Sequence, residues 1–369
     1  MMWKRSSLVV FVTSLALAAA CSSAAKPAPP AQQQGPAAWP SSVAAIAAYQ
    51  GADRQVMLET GAKAEASITW YTGLVGGIQD GVVSQFQQKY PYLKVNVYRA
   101  DAAAIASRVT EEAKAHKAGF DVVNTGGLDL GRTLREANAF TPYFSPTTAQ
   151  LPAGEVEQAP NGLVWWQVPE TECFSFAYNT NLLPASAVPK TLQDLLSPAL
   201  KGKMAVAGSS TGINFMGDLL TNQGDAFAQQ FAKQNIQVQQ ISGKALSDLI
   251  SSGEVVASPT IFQPHAKQEA AAGAPIQWVP LEPVTCAGGG GPAVSPLAPH
   301  PHAAMLFVDF LFGPEAVKIY QDLGYLPSVT EKSSRGFKTW DPQSFATAAE
   351  FQQHYTQWQD AFNKLLLQK

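Results

Sequence analysis

Phe174, Phe176 and Tyr178 alternate with small or polar residues inside the stretch 167–184, and that period of two predicts a strand, closed by Asn179 and Pro184. It lies near the middle of the chain with a strand–helix series on each side, so it is the candidate crossover between two lobes. On its N-terminal side an Ala-rich helical stretch ends near Ala66. Residues 67–71 then predict a strand, stopped by Thr72-Gly73. Ile78, Val82 and Phe86 recur every four residues, the stripe of a helix. A second strand over 94–98, a second helical stripe (Ile105, Val109, Ala113) and a third strand over 120–124, ended by Thr125-Gly126-Gly127, complete this half.

Beyond the crossover the pattern begins again. Residues 203–207 predict a strand, 208–212 a turn and 213–220 a helix. Further strands are predicted at 237–241, 253–258 and 276–279, with helices over 244–250 and 264–272 between them. The apolar run 301–320 predicts one helix and 351–367 a terminal one. Strands alternating with helices argue an α/β fold with parallel sheets, in which ligands collect at the carboxyl ends of strands and the amino ends of helices. Residues 284–292 include four consecutive glycines, suited to a return crossing or a close backbone approach. The Lys-Ser/Thr pair of a phosphate loop is missing beside them, which excludes a P-loop nucleotide site.

Upstream, Lys4 and Arg5 precede an apolar run over 8–17 and then Ala18, Ala19, Ala20 and Cys21, the plan of a secretory signal over 1–20. The small residues before Cys21 resemble a bacterial lipobox, which implies lipid on Cys21; an ordinary signal with Cys21 incidental is the other reading. The run is too short to span a bilayer. Removing the signal moves the formal charge from −3 to about −5, and nothing in the chain favours nucleic acid. Residues 21–45, rich in Ala, Pro and Gln, read as an extended tether. The remainder is long enough for two domains: a first lobe over 46–172, a second over 173–284, and 285–369 as the return to the first lobe with the C-terminal helices.

Of three cysteines, Cys21 is assigned to lipid, which leaves Cys173 and Cys286 as an even pair in an oxidising compartment. They are candidates for a disulfide or for two buried thiols. No Cys-x-x-Cys or Cys/His cluster calls for a structural metal, and no cofactor motif is present.

Residues 298–304 (Ala-Pro-His-Pro-His-Ala-Ala), 306–311 and Gly324-Tyr325-Leu326-Pro327 resemble the C-terminal part of bacterial extracellular solute-binding proteins of the ferric-iron-binding type, partners of ABC importers. Trp70-Tyr71-Thr72-Gly73, Asp121-Val122-Val123 and Tyr178-Asn179-Thr180 are similar to that group at corresponding places. The resemblance runs from about Ala62 to Thr330. It implies two α/β lobes joined by hinge strands that close over one small solute, a monomer, an ABC permease as partner and no catalysis. Iron-binding members use adjacent tyrosines in the second lobe; the matching window here, Phe262-Gln263-Pro264-His265, has none, and His265 alone is more often a hydrogen-bonded or surface residue than a ligand.

The loops instead supply hydroxyl and amide donors at three predicted strand ends: Tyr71, Thr72 and Gly73; Thr125, Gly126 and Gly127; Ser209, Ser210, Thr211 and Gly212. Helix amino ends bind anions, so these point to a carboxylate, phosphate or phosphonate, with Trp165, Trp166 or Phe262 available for an apolar portion. Each such cluster is also an ordinary cap or turn, and only the recurrence favours a site. Glu170 and Glu172 pull the other way, toward an amine such as a polyamine. Residues 208–212 also fit Gly-x-Ser-x-Gly, the setting of a serine-esterase nucleophile on Ser210, but the upstream oxyanion element is absent and His300 and His302 belong to the Ala-Pro-His-Pro motif.

Overall fold

The computed structural model describes residues 39–368 except 75, 101, 118, 125–127, 152–154, 289, 330–335, 343 and 346–347. In chain order, α1 (Val43–Ala47) and α2 (Arg54–Glu65) precede β1 (Ser67–Thr72), α3 (Gly76–Lys89), β2 (Lys94–Arg99), α4 (Ala102–Lys114), β3 (Val122–Asn124) and α5 (Leu128–Glu136). The hairpin β4 (Val156–Gln158) and β5 (Val164–Gln167) leads into β6 (Glu170–Asn179). Then come β7 (Ala205–Ala207), α6 (Ser210–Asp218), α7 (Asp225–Ala232), β8 (Gln237–Gln239), α8 (Gly243–Ser252), β9 (Ala257–Phe262), α9 (Gln263–Ala271) and β10 (Ile276–Val279). The chain closes with β11 (Val284–Gly288), β12 (Pro292–Val294), α10 (Pro301–Phe310), α11 (Pro314–Leu323), β13 (Leu326–Pro327), β14 (Thr339–Trp340) and α12 (Ala348–Phe362).

The first sheet has the order β12-β3-β1-β2, with β1 parallel to both β2 and β3 and β12 antiparallel to β3. Alternation along β1 sends Ile68 and Trp70 to one face and Tyr71 to the other. The Ile78, Val82 and Phe86 stripe of α3 packs with Trp70 and Phe307 on the first face; Ile105 and Val109 of α4 pack with Tyr71 and Phe120 on the second. Two helix layers thus cover a parallel-centred sheet, the α/β arrangement that the alternating pattern predicts.

The sheet around β6 is different. β6 pairs antiparallel with β9, β10, β11 and β13, so past the crossover the fold is mixed rather than purely parallel. Parallel pairing survives between β11 and β14, between β7 and β8, and in one bridge from Met204 to Ala257. β6 is buried along almost its whole length because Phe174, Phe176 and Tyr178 enter the second lobe's core while Ala177 enters a smaller cluster on the opposite face. The architecture is that of a two-lobed α/β protein with hinge strands between the lobes.

Three element boundaries depart from the sequence pattern for local reasons. The strand predicted at 253–258 is β9, shifted toward the C-terminus, because Gly253 at φ 86° caps α8 and the Val255 N–H returns to the Leu249 carbonyl. The single helix predicted over 301–320 is two, since Pro314 cannot continue α10 and Gly313 caps α11. The C-terminal helix, expected with the return to the first lobe, packs on the second: Phe351, Trp358, Phe362 and Leu366 join Phe215 and Phe231 in its core. Gly212 and Gly217 of α6 permit that approach, since a Cβ at Gly217 would lie 2.5 Å from the Trp358 ring and one at Gly212 would lie 2.9 Å from the Phe362 ring.

Cys173 of β6 and Cys286 of β11 face each other in the antiparallel register and are joined by a disulfide. Both are buried beside Val284, Leu326 and Phe337.

Candidate functional site

The C-terminal edge of the first sheet gathers several polar groups that are buried without partners. β1 and β3 are parallel and end at Thr72 and Asn124, and β12, running back, starts at Pro292 opposite Asn124. Gly291, just before it, lies against β5's end: a Cβ there would sit 2.3 Å from the Gln167 carbonyl oxygen and 2.7 Å from Trp166 Cδ1. β6 begins three residues after Gln167, and the Ser328 N–H donates to the Pro169 carbonyl at 3.0 Å. Asn124 Nδ2, Gln167 Nε2, both Glu170 carboxyl oxygens and Ser328 Oγ therefore share one edge of the fold, and none has a hydrogen-bond partner among the described residues. Buried polar groups are ordinarily satisfied by protein or water, so this concentration, at the carboxyl ends of β3 and β5 and the amino end of β6, marks a candidate place for a polar ligand. Only Glu170 was legible in sequence; the others are brought in by non-local pairings.

Glu170 is 1 % exposed, and burial, reinforced by the neighbouring Glu172 carboxylate, pushes its carboxyl well above the ordinary range. Glu172 is half-buried, and burial raises it to about 7.

The other sequence candidates divide. Tyr71 lies inside the first lobe, its hydroxyl donating to Glu112 at 2.9 Å and its ring 4.7 Å from the Arg108 guanidinium; burial and that carboxylate raise its pKa. Period-two alternation turned it away from the strand-end loop, toward α4. Thr72 is fully buried and its Oγ1 accepts from the Leu74 N–H at 3.1 Å, while Gly73 is exposed. Thr125, Gly126 and Gly127 lie outside the described residues. Trp166 is buried in the first lobe's core, edge-to-face with Phe140, and Trp165 faces the Arg135 guanidinium.

In the second lobe, Ser209 caps α6 in an extended conformation with its side chain unused, Ser210 is exposed and Thr211 is 8 % exposed. The Ser209 carbonyl accepts from the Gly212 and Ile213 N–H groups, so the N–H groups of Ser210 and Thr211 are the free donors of the first turn. No hydrogen bond among the described residues joins this turn to the first-lobe edge. Phe262 packs edge-to-face on Phe174 and on His265. Gln263 opens α9 beside Gly324, whose φ of 90° and missing Cβ admit Gln263 and Pro264. His265 is buried with Nδ1 unpartnered, and burial together with the Lys244 charge lowers it to about 4. A neutral, isolated imidazole fits a packed residue better than a metal ligand, and the described residues contain no group of three metal-binding side chains.

The remaining histidines hold α10 in place. The His300 N–H donates to Asp121 Oδ1 at 2.7 Å and its Nδ1 lies 3.0 Å from Oδ2, which also accepts from the Thr69 N–H at 2.7 Å, while His300 Nε2 lies 3.2 Å from Ser67 Oγ. His302 and Ala303 are held by Glu65. The Ala-Pro-His-Pro motif thus ties α10 to β1, β3 and α2, and neither ring approaches Ser210.

A search of curated protein sequences returns no match. Among solved structures, a substrate-binding protein of an ABC transporter from Agrobacterium tumefaciens superposes with a TM-score of 0.67 at 16 % identity, covering 80 % of this chain and 94 % of that one. AfuA from Actinobacillus pleuropneumoniae, with fructose-6-phosphate bound, gives 0.60 at 20 % identity over 81 % and 98 %. Iron-bound HitA from Pseudomonas aeruginosa gives 0.60 at 18 % identity over 79 % and 99 %. The family described as bacterial extracellular solute-binding protein matches residues 81–351, and this chain belongs to it.

Proposed function

We propose that this substrate-binding protein of an ABC transporter takes as cargo a small solute bearing a carboxylate, phosphate or phosphonate, and delivers it to the permease by hinge closure. The observation that carries the reading is the amino end of α6, where Ser210 is exposed, the Ser209 side chain makes no capping bond, and the Ser210 and Thr211 N–H groups have no partner among the described residues. A helix amino end carries roughly half a positive charge and holds an oxyanion without any arginine. The orphaned Asn124 and Gln167 amides at the first-lobe edge supply donors of the same kind. Contacts from both lobes exist together only in the closed state, so the solute shifts the population toward it and completes the surface that the permease recognises. The fold accommodates such cargo in AfuA, whose structure holds a sugar phosphate.

A hydroxyl donating to a charged group contributes about 1.5–3 kcal/mol, so Ser210→Ala is expected to weaken binding of the preferred oxyanion roughly 10- to 150-fold. Calorimetry against carboxylates and phosphonates reads this directly; equal affinity of the variant and the wild type would remove Ser210 from the site. Neither iron nor esterase chemistry has an observation in its favour: the window 262–265 lacks a tyrosine pair, and His300 and His302 are committed to Asp121 and Glu65.

The same reading places lipid on Cys21, with residues 21–45 as the tether that holds the receptor near its permease. More than one acyl chain makes such anchoring stable. Metabolic labelling with a fatty-acid analogue is expected to mark the wild type and to spare Cys21→Ser; label retained by that variant would refute the anchor.

A further inference from the structure

We infer that the solute is amphoteric, carrying a protonated amine that seats against Glu170 and Glu172 while its acid group meets the amino end of α6. The inference rests on the oxyanion reading above and adds a second recognition element to it. Glu170 and Glu172 are two residues apart on β6 and so share a face of the strand. Glu170 is 1 % exposed with both oxygens unpartnered, an arrangement that a buried carboxylate tolerates only when something brings it a proton or a positive charge.

A separate group at the same place points the same way. Ser328 is also 1 % exposed with an unpartnered hydroxyl, and its backbone bond to Pro169 sets it beside Glu170. An ammonium has three N–H donors and no acceptor, and the two carboxyl groups and the serine oxygen supply three acceptors. Among the described residues no third His, Cys, Asp or Glu joins the two glutamates to hold a metal ion there.

Among the described residues no cation is hydrogen-bonded or ion-paired to Glu170. On β6 the ionisable neighbour is Glu172, and from α11 and the turn after it come Tyr320 and Tyr325, whose own ionisation is suppressed by burial and by these carboxylates. On α8 and α9, Lys244 is engaged by Asp248 and Glu269, Lys267 donates to the Gln321 carbonyl, and His265 is held neutral. Without ligand, burial and the Glu172 carboxylate thus favour the protonated form of the Glu170 carboxyl. When an ammonium arrives, the carboxyl ionises against it, the proton passes to the buffer and the ammonium–carboxylate pair remains.

Calorimetry of the full chain at pH 7, repeated in two buffers of different ionisation enthalpy, tests this with matched probes: 3-aminopropylphosphonate against propylphosphonate, 4-aminobutyrate against butyrate, and putrescine. The amine-bearing member of a pair is expected to bind about 10- to 150-fold tighter than its amine-free partner, with about one proton released per molecule bound. Glu170→Gln should abolish the release and bring the affinity of each amine-bearing member down to that of its amine-free partner. Equal binding within each pair, with no proton released, overturns the amine and leaves the oxyanion function standing. Binding of putrescine alone, with release lost in Glu170→Gln, supports the amine and overturns the oxyanion. Failure of every amine on the panel to bind overturns the inference outright.

Discussion

Arg54→Ala is expected to destabilise the protein by about 3–5 kcal/mol, because it leaves Asp309 buried without its cation. Arg54 is 7 % exposed; one guanidinium nitrogen lies 2.5 Å from an Asp309 oxygen, a second reaches the other oxygen at 3.4 Å and the Phe144 carbonyl at 3.3 Å, and the ring of Phe144 lies below. Burial already raises the Asp309 carboxyl, with Arg54 opposing the rise, so the aspartate depends on that one partner. The pair clamps α2 to α10, the helix that the Ala-Pro-His-Pro motif starts. Replacing both residues by apolar side chains of similar volume should cost far less than Arg54→Ala alone, since no charge is then stranded. Urea denaturation of the two variants measures this; a loss within about 0.5 kcal/mol for Arg54→Ala, the range of ordinary surface changes, would show that water relieves Asp309.

The second large effect is at the hinge. The Cys173–Cys286 bridge spans 113 residues of sequence and encloses the second lobe's β7 to β10. Loop entropy of that length contributes about 5 kcal/mol in the chain-entropy model, and removal of a native disulfide ordinarily costs about 2–5 kcal/mol. The double variant Cys173→Ala/Cys286→Ala is expected to unfold at lower denaturant by that amount. Reductant should shift the wild type toward the variant and leave the variant unchanged. Recovery of both cysteines as free thiols from freshly exported, alkylated protein would contradict the bridge. Since β6 and β11 are the strands that the bridge joins, its loss should also let the crossing strands separate more freely when the lobes open.

Much of the fold was legible because it depends on local periodicity. The Ile78, Val82 and Phe86 stripe needed only the helix repeat, and Phe174, Phe176 and Tyr178 needed only the strand repeat to mark the crossover. The antiparallel character of the β6 sheet was not legible, because it depends on which distant strands pair with β6, and no local pattern records that. The C-terminal helix went to the second lobe for a similar reason: the space for Trp358 and Phe362 is made by glycines over 140 residues away in sequence, at 212 and 217.

The site divides along the same line. Ser209, Ser210 and Thr211 could be recognised from a strand–turn–helix pattern. Tyr71 stands one residue from the end of β1, yet the pleat delivers it to Arg108 and Glu112 on α4. Asn124, Gln167 and Ser328 carry no local signal at all; their common feature, a buried polar atom with nothing to bond, exists only once β3 meets β12 and β13 meets β6.

Native mass spectrometry of the full chain, purified from its own host without denaturation, tests the central claim most directly. The account predicts one small molecule per protein, released on unfolding, whose mass and fragmentation show a carboxylate, phosphate or phosphonate group, and which is lost from the Ser210→Ala variant. A protein that carries Fe(III), or an amine with no acid group, retained equally by the wild type and by Ser210→Ala, would contradict it.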